Sequence, residues 1–369
     1  MERTFLCACC GGRYRMPLLV TLGETELCGA CAEDTTVLCA CCGQRIRRED
    51  NAGTTDIPLC ASCHDRHYTN CICCGRPIRR IHALYESGDD LETYPYCPEC
   101  YERRGEGIHE YGYKPVPIFY GDGPRYFGVE LEIDEAGESD RKARLVMNAA
   151  NREGYERIYC KHDGSLEDGF EIVSHPMSLE YHMDVMPWCD VIAKARELHY
   201  TSHRANTCGL HIHVSRAAFG GTEAAQDACI ARVLYFFEKH WEELLKFSRR
   251  TQSQLEQWAA RYGYKTEPRD ILLDAKRRIS RSRYTAVNLT NTETVEFRMF
   301  RGTLKLNTFL ATLQLVDRIC EVAVNLADEE LKNLSWTTFA AGCERPELVQ
   351  YLKERRLYVN EPTESEDEI

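Results

Sequence analysis

The sequence lacks any apolar run near twenty residues, and it opens without a basic-apolar leader. Neither a membrane-spanning helix nor a secretion signal is therefore expected, and the expected location is the cytoplasm. Positive charge is also in short supply. The formal net charge is −12, which disfavours broad binding to nucleic acid or to an anionic membrane. Cysteine is scarce over most of the chain: of 21 cysteines, 15 lie in residues 1–100 and only 6 beyond. In a secreted chain such crowding is a disulfide framework. In a reducing cytosol, dense paired cysteines read as zinc ligands. At 369 residues the chain has room for two domains, or for a large domain with an appendage.

The cysteine-rich third is a repeat. Cys7-Ala-Cys-Cys-Gly11 recurs as Cys39-Ala-Cys-Cys-Gly43 and Cys71-Ile-Cys-Cys-Gly75, with a period of 32 residues both times. A second C-x-x-C pair follows each knuckle: Cys28 and Cys31, Cys60 and Cys63, Cys97 and Cys100. The gap between pairs is longer by five residues in the third unit, which places an insertion near residues 86–90. Four thiolates per unit suit tetrahedral zinc. The expected sets are Cys7, Cys10, Cys28 and Cys31; Cys39, Cys42, Cys60 and Cys63; and Cys71, Cys74, Cys97 and Cys100. Cys9, Cys41 and Cys73 are an extra thiol in each knuckle and stand as alternative ligands. Glycine after each knuckle lets the backbone turn tightly around the metal. Three structural zinc ions would staple units too small to hold a core of their own. Arg45, Arg47, Arg48, Arg76, Arg79 and Arg80 cluster after two knuckles, but acidic residues outnumber basic ones across residues 1–112. Protein or peptide docking is the expected role, ahead of nucleic-acid binding.

Pairing ends at Cys100, and a charged, glycine-bearing stretch leads to Pro115-Val-Pro117. The expected organisation is three zinc repeats with a linker in 1–112 (about 1–35, 36–67 and 68–104), a second domain in 113–360, and an acidic disordered tail in 361–369. Strands are expected at 125–134, 156–161, 168–174, 208–215, 284–291 and 294–301. Helices are expected at 139–153, 179–197, 222–247, 252–262, 305–327 and 346–355, and Asn291 reads as a hairpin turn. Ile230, Val233, Leu234, Phe237 and Trp241 form an apolar stripe of core type.

Three segments share one design: Gly128-Val-Glu-Leu-Glu-Ile133, Gly209-Leu-His-Ile-His-Val214 and Val295-Glu-Phe-Arg-Met-Phe-Arg301. A strand sends successive side chains to opposite faces. Glu130 with Glu132, His211 with His213, and Glu296 with Arg298 then share a face against an apolar back. Lys161-His-Asp-Gly-Ser-Leu166 is a turn leading into Gly169-Phe-Glu-Ile-Val-Ser174, which places Glu171 on a strand face. An E-x-E pair alone is often a solvated face; the set of carboxylates argues for metal. Either His211 and His213 hold zinc, or one imidazole joins the carboxylates on a harder ion, magnesium or manganese. Arg298 and Arg301 suit phosphate oxygens, or else pair with the glutamates.

The motifs G-V-E-L-E-I, K-H-D-G-S-L…G-F-E-I-V-S-H-P, C-G-L-H-I-H-V-S and V-E-F-R-M-F-R-G-T-L occur in this order over roughly residues 120–330. Together they resemble the amidoligase family, within the glutamine synthetase and glutamate-cysteine ligase superfamily of carboxylate-amine ligases. The resemblance implies an α+β fold: an antiparallel β-sheet funnel with flanking helices, with ATP at one end and divalent metals in the middle. The zinc-ribbon or treble-clef-like modules precede that core and lie outside it. By position, Glu130, Glu132, Glu171, His211 and Glu296 resemble the Mg²⁺ (or Mn²⁺) ligands. His213 resembles the residue that touches nucleotide phosphate, and Arg298 and Arg301 resemble those that stabilise the transferred phosphoryl group. Lys161, Asp163 and Ser165 match a K-x-D-G-S segment of the site, and His175 departs from what many relatives carry before the proline. The implied reaction is ATP-dependent joining of a carboxylate to an amine through an acyl phosphate, on a peptide, protein or cell-wall-type substrate that the zinc repeats could help to hold. Two alternatives stay open: a metal-dependent hydrolase that needs no nucleotide, and a zinc-repeat scaffold whose ligase-like domain is inactive.

Overall fold

The computed structural model describes residues 3–87, 93–102, 107–152, 154–205, 207–278 and 283–358. It divides into two compact units, Met1–Gly105 and Glu106–Ile369. In the first unit each knuckle is the tip of a short antiparallel ladder. Thr4–Leu6 pairs with Arg13–Arg15, Thr36–Leu38 with Arg45–Arg47, and Tyr68–Asn70 with Pro77–Arg79. The knuckle glycines Gly11, Gly43 and Gly75 all have φ near +70° (69°, 73° and 71°), a left-handed turn that a Cβ would penalise. Each donates its amide to the first cysteine of its knuckle, at 2.8–2.9 Å. The second cysteine pairs sit at the starts of helices Gly29–Thr35, Ala61–His67 and Pro98–Glu102. Apolar cores are small; the first is Phe5, Leu27 and Ala32 with two cysteines. Two of the clustered arginines have local work. Arg48 Nε donates to the Asp34 carbonyl (2.8 Å) and Arg80 to the Asp65 carbonyl (3.4 Å), closing the C-terminal end of the helix before each. Strands Leu84–Ser87 and Thr93–Tyr96 pair. The insertion expected near 86–90 falls largely outside the described residues, as does the expected tail at 361–369.

The second unit is α+β. Its strands are β1 (Ile108–His109), β2 (Tyr126–Ile133), β3 (Ile158–Lys161), β4 (Phe170–Ser174), β5 (Met177–Ser178), β6 (Gly209–Ser215), β7 (Val287–Asn288) and β8 (Thr294–Arg301). They form one sheet in the order β1-β3-β4-β2-β6-β8-β7, with β5 pairing separately to β2. The sheet is mixed rather than wholly antiparallel: β1 and β3 run parallel, and the other pairs are antiparallel.

The helices are α1 (Asp140–Ala150), α2 (Leu179–Asp184), α3 (Trp188–Glu197), α4 (Glu223–Lys239), α5 (Trp241–Ser248), α6 (Gln252–Trp258), α7 (Pro268–Arg278), α8 (Leu306–Asn325), α9 (Asp328–Asn333), α10 (Trp336–Ala341) and α11 (Pro346–Glu354). They supply a continuous core with the apolar sheet face. Phe237 of α4 meets Phe297 of β8 at 5.6 Å between ring centres, and Trp188 of α3 meets Phe309 of α8 at 4.5 Å.

Several expected elements differ. The helix expected at 179–197 is two, because Pro187 is the N-cap of α3 and cannot continue α2. The helix expected at 222–247 breaks at His240, which leaves helical geometry (φ −107°, ψ 33°) and tucks its ring against Phe236 and Trp336. Helix α7 was not expected, although Pro268 at its start and Ile271, Leu272 and Ala275 on its buried side carry the signal. The strand expected at 284–291 shrinks to β7 because Arg216 takes the Leu289 and Asn291 carbonyls (3.0 and 3.1 Å) away from a ladder.

Candidate functional site

Alternation builds the site. Val129, Leu131 and Ile133 of β2, and Leu210, Ile212 and Val214 of β6, are fully buried in the core. Glu130, Glu132, His211 and His213 therefore lie on the opposite face. The register brings them together, since residues directly opposite across strands share a face. Glu130 stands opposite His211, His213 opposite Glu296, and Glu132 opposite Glu171, which is opposite Lys161 on its other side. His211 is the hub. Its Nδ1 lies 3.2 Å from Glu130 Oε2 and 3.9 Å from Glu296 Oε1, and its Nε2 lies 3.7 Å from Glu132 Oε1. His213 Nε2 is 3.1 Å from Glu130 Oε1 and 4.0 Å from Glu296 Oε1. Despite that proximity it makes no hydrogen bond, so a buried nitrogen faces carboxylate oxygens without being bonded to them. Lys161 Nζ is 3.8 Å from Glu171.

A β-bulge decides where the two arginines go. Leu210 pairs with Phe300 and Ile212 with Phe297, so His211 opposes two residues, Arg298 and Met299. Strict alternation from Arg298 would send Arg301 to the apolar face. The extra residue resets the phase and puts Arg301 opposite Gly209 on the polar face. Arg298 then pairs with Glu296, the salt-bridge reading of that residue. Arg301 goes elsewhere: it lines an open cleft with His203, Lys246, Arg249, Arg250 and Arg355.

Sequence reasoning missed three contributors. Asn288 Nδ2 donates to Glu296 Oε2 at 2.7 Å, with Asn291 Nδ2 at 3.4 Å. The Gly209 amide donates to the Glu132 carboxylate. A Cβ on Gly209 would stand 2.6 Å from His211 Nε2 and 2.8 Å from Arg250 Nη2, so this position has no space for a side chain. Arg250, buried, donates to the Phe300 carbonyl. Asn288 and Gly209 lie within segments already singled out; Arg250 has no local signal. The K-x-D-G-S loop divides. Lys161 is in the cluster, whereas Asp163 Oδ1 accepts from the Ser165 amide (2.7 Å) and hydroxyl (2.6 Å), and Ser165 is exposed. His175 is buried and accepts from the Ile118 amide (3.2 Å), a packing role away from the carboxylates.

Four glutamates this close cannot all ionise freely. Burial, with Glu130 and Glu132 beside it, pushes the Glu171 carboxyl well above the usual range. Burial likewise raises Glu132 against the pull of His211. Burial would also raise Glu130, but His213 and His211 outweigh it and hold that carboxyl well below the usual range. The cluster is short of positive charge, as a cation site should be. Two overlapping groups have ligand atoms within 4.8 Å of one another: Glu130, His213 and Glu296, and Glu130, Glu171 and His211. Oxygen dominates both, which favours magnesium or manganese over zinc. The unbonded His213 nitrogen and the crowded oxygens fit such an ion.

The cysteine sites differ in kind. In each of the three sets expected from spacing, the four sulfurs lie within 4.8 Å of one another. Cross-pair sulfur separations are 4.0 Å (Cys10–Cys28), 3.9 Å (Cys42–Cys60) and 4.0 Å (Cys74–Cys97). Zn–S bonds of about 2.3 Å in a tetrahedron put sulfurs about 3.8 Å apart, so these sets suit zinc. Amides at Cys10 and Cys28 hold Cys7 down to about 6, while a hydrogen bond from Cys28 and burial push Cys31 up. Without a cation the four thiols cannot all be thiolates. The sets leave out Cys9, Cys41 and Cys73.

Among the described residues, no helix is long and apolar enough to cross a membrane. No protein with a curated description matches the chain. Among solved structures it is similar to a bifunctional glutathione synthetase from Pasteurella multocida, at 14% identity and a TM-score of 0.35, over 63% of this chain and 46% of that one. The chain thus spans less than half the length of that enzyme. A family described as "Putative amidoligase enzyme" matches residues 131–320, just over half of the sequence and all but the first of the front-face glutamates. The chain belongs to the amidoligase family.

Proposed function

We propose that the protein is an ATP-dependent carboxylate-amine ligase that joins a carboxylate to an amine through an acyl phosphate. The carrying observation is the buried cluster of Glu130, Glu132, Glu171 and Glu296 around His211, set beside arginines on the same sheet face. Such a face suits a nucleotide and its divalent cations, and we read the sheet as the wall of a glutamine synthetase-like funnel. Glu130, Glu171 and His211 would hold one ion, and Glu130, Glu296 and His213 a second. When bound, such ions neutralise triphosphate charge and polarise the γ-phosphoryl group.

This chain's residues do the rest. Asn288 fixes one oxygen of Glu296, so that carboxylate is held in one orientation. Arg298 is poised beside Glu296 to offset charge on the moving phosphoryl group. His213 lies where it could meet phosphate, and Lys161 balances Glu171. A substrate carboxylate oxygen attacks the γ-phosphorus, and the bond to ADP breaks. The amine then attacks the acyl carbon, phosphate leaves with the bonding pair, and the amine loses a proton. No protein nucleophile is needed. The substrate is a peptide, protein or cell-wall-type molecule, which the zinc-binding unit could help to hold, in a reducing compartment such as the cytoplasm.

The test uses hydroxylamine as the amine, with magnesium, ATP and panels of peptide carboxylates. ATP-dependent hydroxamate with matching ADP and phosphate is the expected result, and Glu130→Gln should abolish it. Substrate turnover that proceeds without ATP would instead favour the metal-dependent hydrolase.

A further inference from the structure

We propose that the cleft beside the carboxylate cluster is a second site, one that binds the acidic end of the substrate: a group bearing two or more closely spaced carboxylates or phosphates. The cleft has a volume of about 800 Å³ and is lined by His203, Lys246, Arg249, Arg250, Arg301 and Arg355, with Glu242 its one acidic lining residue. In a chain of net charge −12, that is a local reversal of sign.

Four places in the fold supply it. Lys246, Arg249 and Arg250 come from the end of α5, Arg301 from the end of β8, Arg355 from the end of α11, and His203 from the loop before β6. Arg249 holds a left-handed backbone (φ 62°) at the α5 C-cap, a conformation that disfavours a non-glycine residue and often marks a functional turn. Two lining atoms are buried with no hydrogen-bond partner, Arg301 Nε and His203 Nδ1. The charge is not balanced from within. Burial and the guanidiniums of Arg249, Arg301, Arg204 and Arg355 push His203 down to about 4, and burial with Arg249 lowers Arg301.

One anionic group cannot balance this many cations, so the ligand carries several. It also arrives without a divalent ion, because a lone glutamate offers no metal site. Bare carboxylates fit that description, whereas a nucleotide triphosphate is drawn with its cations to the glutamate cluster. The two places adjoin. Arg250 lines the cleft, and its Nη2 lies against Gly209, whose amide holds Glu132. A substrate anchored in the cleft would therefore direct its reacting end toward the metal cluster. That last step rests on the ligase reading; anion binding does not.

The experiment is calorimetry on the full chain with tricarballylate, a tricarboxylate, in magnesium-free, low-salt buffer. A non-hydrolysable ATP analogue with magnesium is titrated in parallel. Wild type should bind the tricarboxylate without magnesium. Arg355→Glu, and separately Lys246→Glu at an exposed position, should each weaken it about tenfold or more, while Glu130→Gln should leave it unchanged. The analogue should show the opposite pattern. Melting curves verify that each variant is folded. No tricarboxylate binding, or binding indifferent to both charge reversals, overturns the proposal. So does loss of analogue binding in the reversals, which would make the cleft the nucleotide's own phosphate seat. Tripolyphosphate binding tenfold tighter than tricarballylate would assign the cleft to phosphate-bearing substrates. If the analogue fails to bind wild type while the tricarboxylate binds, the ligase reading falls and the anion site stands.

Discussion

Glu296 has both carboxylate oxygens engaged before any cation arrives: one faces Arg298 and the other accepts from Asn288. That makes it a rigid ligand rather than a surface acid, and it sets the mildest informative mutation. Glu296→Ala would strand a buried guanidinium and risk the fold. Glu296→Gln keeps the shape and removes the charge. It should lower ATP turnover by about 100-fold or more while melting changes little; turnover within a few-fold of wild type would remove Glu296 from the metal set. Thiols give a second residue-level test. Cys10→Ser should reduce bound zinc from three ions to two, measured by elemental analysis, whereas Cys9→Ser should leave three. The glutamates and histidines were legible because a period of two is a local pattern. The separation of Arg298 from Arg301 was not, because a bulge is set by the partner strand and leaves no mark in its own sequence.

At the scale of elements, the break between α2 and α3 has an energetic role. His182 Nε2 donates to the Phe127 carbonyl of β2 (3.0 Å), and its Nδ1 accepts from the Trp188 indole of α3 (3.1 Å). One buried imidazole thus ties two helices to the strand that carries Glu130. Burial pushes His182 down to about 4. A folded-state value below the unfolded one, about 6.5, means that the unfolded chain takes up the proton more readily. Stability is therefore full above about pH 6.5 and falls as pH drops toward 4, by about 3 kcal/mol for this group. Urea midpoints measured from pH 7 to 4 should show that decline. His182→Gln should be less stable at pH 7 and show a shallower decline; an unchanged slope would mean that His182 is not the group responsible. Helix α7 and the α4–α5 break were hard to read because Pro268 and His240 act through packing as much as through local preference.

At the scale of the molecule, chemistry is segregated: soft thiol sites in Met1–Gly105, and a hard oxygen site with a basic cleft in Glu106–Ile369. The zinc sets could be read from spacing alone, because a 32-residue period and glycine-closed knuckles are both written in the chain. The basic cleft could not, since Lys246, Arg301 and Arg355 meet only through tertiary packing. Titration with a mercurial thiol reagent should release three zinc ions and melt the first unit, while nucleotide binding by the second persists. The most direct test of the central claim is calorimetric titration of a non-hydrolysable ATP analogue, with and without magnesium, on wild type and Glu296→Gln. Magnesium-dependent binding that is lost in the variant is the predicted result. No binding to wild type at millimolar nucleotide with magnesium present would contradict the ligase assignment.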